Sequence, residues 1–323
     1  MNGGVTFTNQ RYGKPDFSSQ HSIAATVSTI GNARVSYDGI WRHVLGAHDL
    51  IAGISAENRR RYRYFFGLGN ETTYNSDLLL DDYYTLQYTS AAIYAGLQRS
   101  FWKNCYLNFK INIEANSRQT LKNTIVEDAF TVGVDPYQIG KFSLELDLDF
   151  RDRPNLPTKG SRFYTTHMYA KTLNSLLENY QVGEGFAEYF TSFGPITLGL
   201  RAGANYSRNE VPYYDRPTLG QNRYLKGFRR NRFTGDGSLF FNSDLRILLI
   251  DKPEALIPHK FGIRFFLDTG KILLKEEDSK IWHQGYGIGL YFVPLKERFS
   301  FHLSTAFSSE ESGLILFGLG RLF

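Results

Sequence analysis

Three carboxylates, Glu145, Asp147 and Asp149, occupy every second position of the stretch FSLELDLDFR (residues 142–151). On an extended chain such side chains share one face, close enough for the paired acid and base that hydrolyse glycosidic bonds. Arg151 continues that face, while Phe142, Leu144, Leu146, Leu148 and Phe150 make the opposite one oily. The two-faced pattern recurs along the whole chain, so a charged wall built by many strands accounts for these carboxylates better than a local acid–base site. The seven histidines (His21, His43, His48, His167, His259, His283, His302) show no His-x-x-x-His or similar ligand spacing. Cys105 is the single cysteine, which excludes an internal disulfide and a cysteine-based metal cluster. GLGNET (67–72) has the look of a nucleotide loop but lacks the third glycine and a following helix. Two basic clusters, RRRYRYFF (59–66) and seven cations within 208–238, suit anionic lipid phosphates or an acidic partner as well as solvated loops. No catalytic residue, metal or cofactor is assigned.

The elements that carry these residues are strands. CYLNFKINIEAN sets Cys105, Leu107, Phe109, Ile111 and Ile113 against Asn108, Lys110, Asn112 and Glu114, and ITLGLRAGANY (196–206) alternates likewise. FGIRFFLDTG, HQGYGIGLYF and FHLSTAF follow the same period of two. Mean hydropathy is −0.33 and no run of about 18 apolar residues exists, so a transmembrane helix is excluded. A transmembrane barrel is not, because alternation dilutes the hydropathy of each spanning strand. Aromatic residues reach 15%, with 21 Tyr and 26 Phe, which suits strands and interfacial girdles. The net charge of +5 is interleaved along the strands rather than gathered in a tract, which argues against a nucleic-acid partner.

Connector lengths decide between a soluble sandwich and a membrane barrel. Short turns fall at 102–104, 153–160, 194–195 and 295–299, and long polar loops at about 60–82, 117–140, 173–180 and 209–238. Sorting by parity is the asymmetry of outer-membrane barrels, with short periplasmic turns and long external loops. The expected fold is therefore an all-β antiparallel transmembrane barrel of 14–16 strands, occupying residues 1–323, with Glu145, Asp147, Asp149 and Arg151 facing a water-filled lumen. About 15 segments can be counted, and because such barrels close with an even number, 16 is favoured. The uncounted strand would lie within 1–35 or be missing from the chain. The start, MNGGVTFTNQ, lacks the charged and apolar regions of an export leader, so an exported chain would be a mature form or a fragment.

Several motifs resemble one family. YLKGFRRNRFTGDG (224–237) is similar to the plug-loop motif of the BamA/TamA (bacterial surface antigen) superfamily, in which a hydrophobic residue, Arg, Gly and an aromatic sit at the tip of a loop folded into the barrel. Leu225, Lys226, Gly227 and Phe228 match those positions, with lysine replacing the planar fork of arginine. Arg229 and Arg230 follow as alternative cations. FFLDTGKI resembles the family's partner strand, implying that Phe266 and Asp268, with Gly270 after them, hold the tip. The alternation agrees: Phe266 falls on the wet face beside Arg264 and Asp268, where an aromatic needs a covering loop. LPTKGSRF (156–163) resembles the family's Pro-x-x-Gly periplasmic turn, and FFGLGNET (65–72) is similar to a loop of Bacteroidetes members. The C-terminal LILFGLGRLF looks like an outer-membrane recognition strand, with Ile315, Phe317, Leu319 and Phe323 apolar and Arg321 departing from the pattern.

The resemblance implies a plug loop around 209–238, between the fifth- and sixth-last strands, and no periplasmic POTRA domain in this chain. It further implies residence in the bacterial outer membrane and assembly or translocation of outer-membrane proteins or lipid-linked cargo. The implied mechanism is a seam between first and last strands that opens to a client strand. Implied partners are membrane lipid and lipopolysaccharide, client proteins and accessory lipoproteins. Alternatives are a barrel that anchors or exports a patatin-like lipase or a phosphoesterase, a passive solute pore, and a soluble all-β enzyme.

Overall fold

The computed structural model describes the chain apart from residues 1, 11–16, 28–32, 81–82, 119–123, 126–136, 175–177, 222–223, 295–299 and 321–323, and apart from the side chains of 2–3, 59–63, 80, 86–88 and 118. The side chains of the RRRYR run, and the whole of the 295–299 turn, Arg321 and Phe323, therefore lie outside the description.

Fifteen strands form one antiparallel sheet in sequence order. The first six are β1 (Asn2–Asn9), β2 (Ser19–Val27), β3 (Ala33–Leu45), β4 (His48–Tyr64), β5 (Thr85–Trp102) and β6 (Cys105–Arg118). Four more follow: β7 (Tyr137–Asp149), β8 (Gly160–Thr172), β9 (Tyr180–Phe193) and β10 (Ile196–Arg208). After a small hairpin of β11 (Thr218–Leu219) and β12 (Phe233–Thr234), the sheet resumes. Its last members are β13 (Gly237–Lys252), β14 (His259–Leu273), β15 (His283–Pro294), β16 (Phe301–Ser308) and β17 (Leu314–Leu319). The weakly patterned region 1–35 holds β1, β2 and the start of β3, and the sheet count falls within the expected 14–16. Connections at 46–47, 103–104, 150–159, 194–195 and 253–258 share one end of the sheet, and the long loops 65–84 and 209–236 share the other.

Register keeps like with like across the ladders. Between β6 and β7, Leu107 faces Leu146, Phe109 faces Leu144 and Ile111 faces Phe142, while Asn108 faces Glu145. A slip of one residue would exchange the two faces, so the alternating sequence fixes the pairing. The question of direction is settled by exposure. Leu144 is 50% exposed on the outer surface, whereas Asp147, three positions on and pointing the other way, is 4% exposed. The same contrast sets Leu245 and Phe265 outside Arg246 and Arg264. A continuous oily exterior is stable only against hydrocarbon, and each charge on that side would cost about 2–4 kcal/mol at mid-depth.

The sheet curls into a barrel, because loops far apart along it meet. Asn70, after β4, bonds to Ile272 of β14 and to Glu277 beyond it. Leu156, between β7 and β8, packs on Tyr291 and Val293 of β15. The core lies inside: Phe186, Leu219, Leu225, Phe228, Phe233, Phe240 and Ile272 form one buried cluster. One expectation is corrected here. Asp147 and Arg151 do not line open water, because they are buried in paired charges with Arg162 and Glu188 of the neighbouring strands.

Candidate functional site

The loop 209–236 joins β10 to β13 and turns inward as the β11–β12 hairpin, with Thr218 opposite Thr234 and Leu219 opposite Phe233. It falls between the sixth- and fifth-last strands, at the expected place. Between the two hairpin strands the chain bends through left-handed conformations at Tyr224, Gly227 and Asn231, which lets a short segment project as a tip. Leu225 and Phe228 drop into the apolar cluster and leave Lys226 facing the wall.

Lys226 meets β14 with two donors. Its backbone N–H donates to Asp268 Oδ2 at 2.8 Å, and its Nζ donates to Oδ1 at 3.1 Å. The Asp268 side chain is completely buried, so this carboxylate depends on the loop for its partners. The ammonium also lies 4.9 Å from the centre of the Phe266 ring, and the Arg264 guanidinium reaches the same ring at 5.4 Å. Arg264 in turn donates to Asp244. Thus lysine supplies by side chain plus backbone the two-point contact that an arginine fork would make alone. Arg229 turns elsewhere, pairing with Glu311 at 2.7 Å, and Arg230 is half-buried at the tip.

Glycines permit the approach. A Cβ on Gly227, whose φ is +93°, would lie 2.4 Å from the Phe307 carbonyl oxygen. A Cβ on Gly285 would sit 1.6 Å from the Lys226 carbonyl oxygen. Gly287, on the same inner row of β15, makes room for the Phe266 ring, and Gly270 does so for Leu219. The period-two glycines of HQGYGIGLYF were visible in the sequence, and the position of the loop tip explains Gly285 among them.

A second layer of contacts was not anticipated. Gly69 N–H donates to the Thr234 carbonyl at 2.8 Å, and the Asn70 side chain both donates to and accepts from the Ile272 backbone at 2.8 Å. Arg232, almost fully buried, donates to Thr72 and pairs with Glu310 at 2.7 Å, its guanidinium stacked 4.6 Å from the Phe233 ring. Tyr74 O–H donates to Glu311 at 2.5 Å. FFGLGNET, with Tyr74 just after it, is therefore a strap that ties the hairpin to β14 and to the β16–β17 loop. On the other flank, Tyr224 stacks on Phe240 at 3.8 Å and donates to Glu184. Arg162 holds Asp147 by two bonds, Arg151 holds Asp149, and Arg151 and Arg201 share Glu188. With Asp147 and Asp149 each locked to an arginine, the acid–base geometry weighed for them is lost.

On β17, Ile315 and Phe317 stand 75% and 72% exposed on the outer face and Leu319 accompanies them, while Leu316 points inward onto Phe266 and Ala306.

Fold and loop together define an outer-membrane β-barrel with an inward-folded plug clamped to its wall. A family model, the Omp85 superfamily domain, matches residues 32–320, and the chain belongs to that superfamily. Among solved structures, BamA from Haemophilus ducreyi lacking POTRA domains 1–3 superposes with a TM-score of 0.63 at 14% identity. CdiB from Acinetobacter baumannii gives 0.60 at 12%, and CdiB from Escherichia coli 0.51 at 10%. Each alignment covers 99% of this chain but 69%, 55% and 62% of those chains respectively. No curated protein sequence matches the chain.

Proposed function

We propose that this barrel is the membrane part of a machine that assembles or secretes outer-membrane proteins, by pairing a client strand with an edge of its own sheet. The observation that carries the reading is the contrast between the seam and the clamp. Among the described residues β1 pairs with β2 only and β17 with β16 only, and these end strands have 8 and 6 residues. Unpaired backbone N–H and C=O groups along an edge are a template for an incoming strand. The clamp on β14 and β15, two to three strands from the β17 edge, holds that side of the seam fixed while the β1 side moves. The Lys226–Asp268 contact braces the barrel and performs no chemistry. Outer-membrane lipid and lipopolysaccharide surround it, and client proteins with accessory lipoproteins are its working partners. The test is photocrosslinking in proteoliposomes, with a photoreactive residue at Val5, at Ile315 or at mid-sheet Ile111. A peptide copying the last strand of an outer-membrane protein should crosslink at Val5 or Ile315 and not at Ile111. Equal labelling of all three, or none, would contradict the proposal. A steady large conductance in planar bilayers would favour a passive pore instead.

A further inference from the structure

At the short-turn end, on the far side of the lumen from the long loops, the β7–β8 turn folds inward across the barrel mouth. Thr158 secures it by donating from N–H and Oγ1 to Asp152, and Leu156 packs on Tyr291 and Val293. Between this turn and the inner wall of β9, β10, β13 and β14 lies a cavity of about 250 Å³. Its lining holds three cations, Arg153, Arg246 and Lys260, against one carboxylate, Asp251. Lys260 pairs with Asp251 at 3.8 Å, and Arg153 with Asp152 at 3.5 Å.

Arg246 is the telling member. It is 2% exposed and donates from Nη2 to the Pro157 carbonyl, but its Nε and Nη1 have no hydrogen-bond partner in the protein. Leaving charged donors unmade in a buried setting is costly, so a guanidinium held there needs an acceptor from outside the chain. The lining hydroxyls of Thr158, Ser192, Thr197 and Tyr291 could accept, but none makes a hydrogen bond with either nitrogen. We propose that this cavity binds a compact oxyanion of the phosphate class, gripped by Arg246 and flanked by Arg153 and Lys260. A carboxylate offers one flat pair of oxygens, which a single guanidinium consumes, whereas a tetrahedral oxyanion presents acceptors to three separate cations. The net charge of the lining matches a dianion. The volume is below that of sites for drug-sized molecules, which restricts the occupant to a phosphate group with little attached. Short turns face the periplasm in barrels of this class, so the phosphate arrives from that side, free or as a glycerol phosphate headgroup.

The experiment is isothermal titration calorimetry of the full chain, folded in a neutral maltoside detergent, with inorganic phosphate and separately with sn-glycerol 1-phosphate. Saturable binding at one site per barrel is expected. Arg246→Gln should weaken it at least tenfold and Lys260→Gln severalfold, while Arg99→Gln, remote and exposed, leaves it unchanged. A gel-mobility shift on heating verifies that each variant is folded. Tighter binding of the glycerol ester identifies a headgroup as the source, and tighter binding of the inorganic ion a free phosphate. No saturable binding of either probe, unaltered binding in both Arg246→Gln and Lys260→Gln, or equal affinity for acetate or an acidic peptide would overturn the proposal.

Discussion

The inner face of β2, β3 and β5 carries Ser22, Ala24, Thr26, Asp38 and Tyr94, all exposed or half-buried, whereas the inner face of β8, β9, β13 and β14 carries Arg162, Phe186, Glu188, Phe240, Asp244 and Asp268, all buried. One sheet thus has two kinds of interior. Where the plug rests, the wall supplies large aromatics and paired charges, and the lumen is as filled as a soluble core. Where the plug does not reach, mostly polar side chains face open space, and the strands are held by their ladders and a few side-chain bonds such as Tyr94 to Asp38. A barrel that must open somewhere while keeping its shape needs this division: one half clamped, the other free to part at its edge. Buried ion pairs add little net stability over apolar packing, but they specify one arrangement of the loop.

Equivalent changes in the two halves should therefore have unequal effects. Asp268→Ala strands the Lys226 ammonium and N–H in the packed half, and a loss of about 3–5 kcal/mol is expected in urea unfolding from detergent. Asp38→Ala removes a carboxylate that accepts from Tyr94 at 2.7 Å in the open half, and about 1 kcal/mol or less is expected. Lys226→Ala combined with Asp268→Ala should cost less than the sum of the two, by about 0.5–3 kcal/mol. Strict additivity would mean that the two do not act as a pair.

Glycine substitutions sharpen the contrast through shape rather than charge. Gly285→Ala places a methyl group against the Lys226 carbonyl and should displace the tip, at about 1–3 kcal/mol. The displacement should read out as new protease cleavage within 218–234. Gly4→Ala, whose Cβ would come no closer than 3.1 Å to any neighbour, the Ile23 carbonyl oxygen, should leave protease resistance unchanged.

The smallest effect is expected at the mouth. Burial pushes the Asp152 carboxyl up, but hydrogen bonds from Thr158 and Lys159 together with the nearby Arg153 hold it below the usual carboxylate range. A depressed folded value contributes stability that is complete above the unfolded value, about 4, and is lost as pH falls through the folded one. The protection of the Thr158 and Lys159 amides, measured against the intrinsic exchange rate at each pH, should fall as pH drops below about 4, and Asp152→Asn should abolish that pH step.

What the sequence revealed follows from how local each signal is. The strands, their two faces and the sorting of connectors are carried by spacings of two and ten residues, so FSLELDLDFR alone shows which side chains travel together. The Lys226–Asp268 contact was legible because Phe266 breaks the alternation on the wet face, and the Leu-Lys-Gly-Phe tip matched a known pattern. Arg232 with Glu310 was not, because its partners lie 78 positions apart and neither sits in a periodic element. Asn70, 202 positions from Ile272, is hidden for the same reason. The expected open water beside Asp147 failed because alternation tells which way a side chain points but not what fills the space it points into.

Spin labels at single cysteines, introduced one by one along β2 and β7 in a chain with Cys105→Ser and reconstituted into lipid, test the account most directly. Labels at 23, 25 and 27 of β2 and at 142, 144, 146 and 148 of β7 should collide with lipid-dissolved oxygen. Labels at 22, 24 and 26 should collide with a water-soluble nickel reagent, and those at 145 and 147 with neither. Outward positions that respond to nickel, or 145 and 147 as open to it as 22 and 24, would contradict the account.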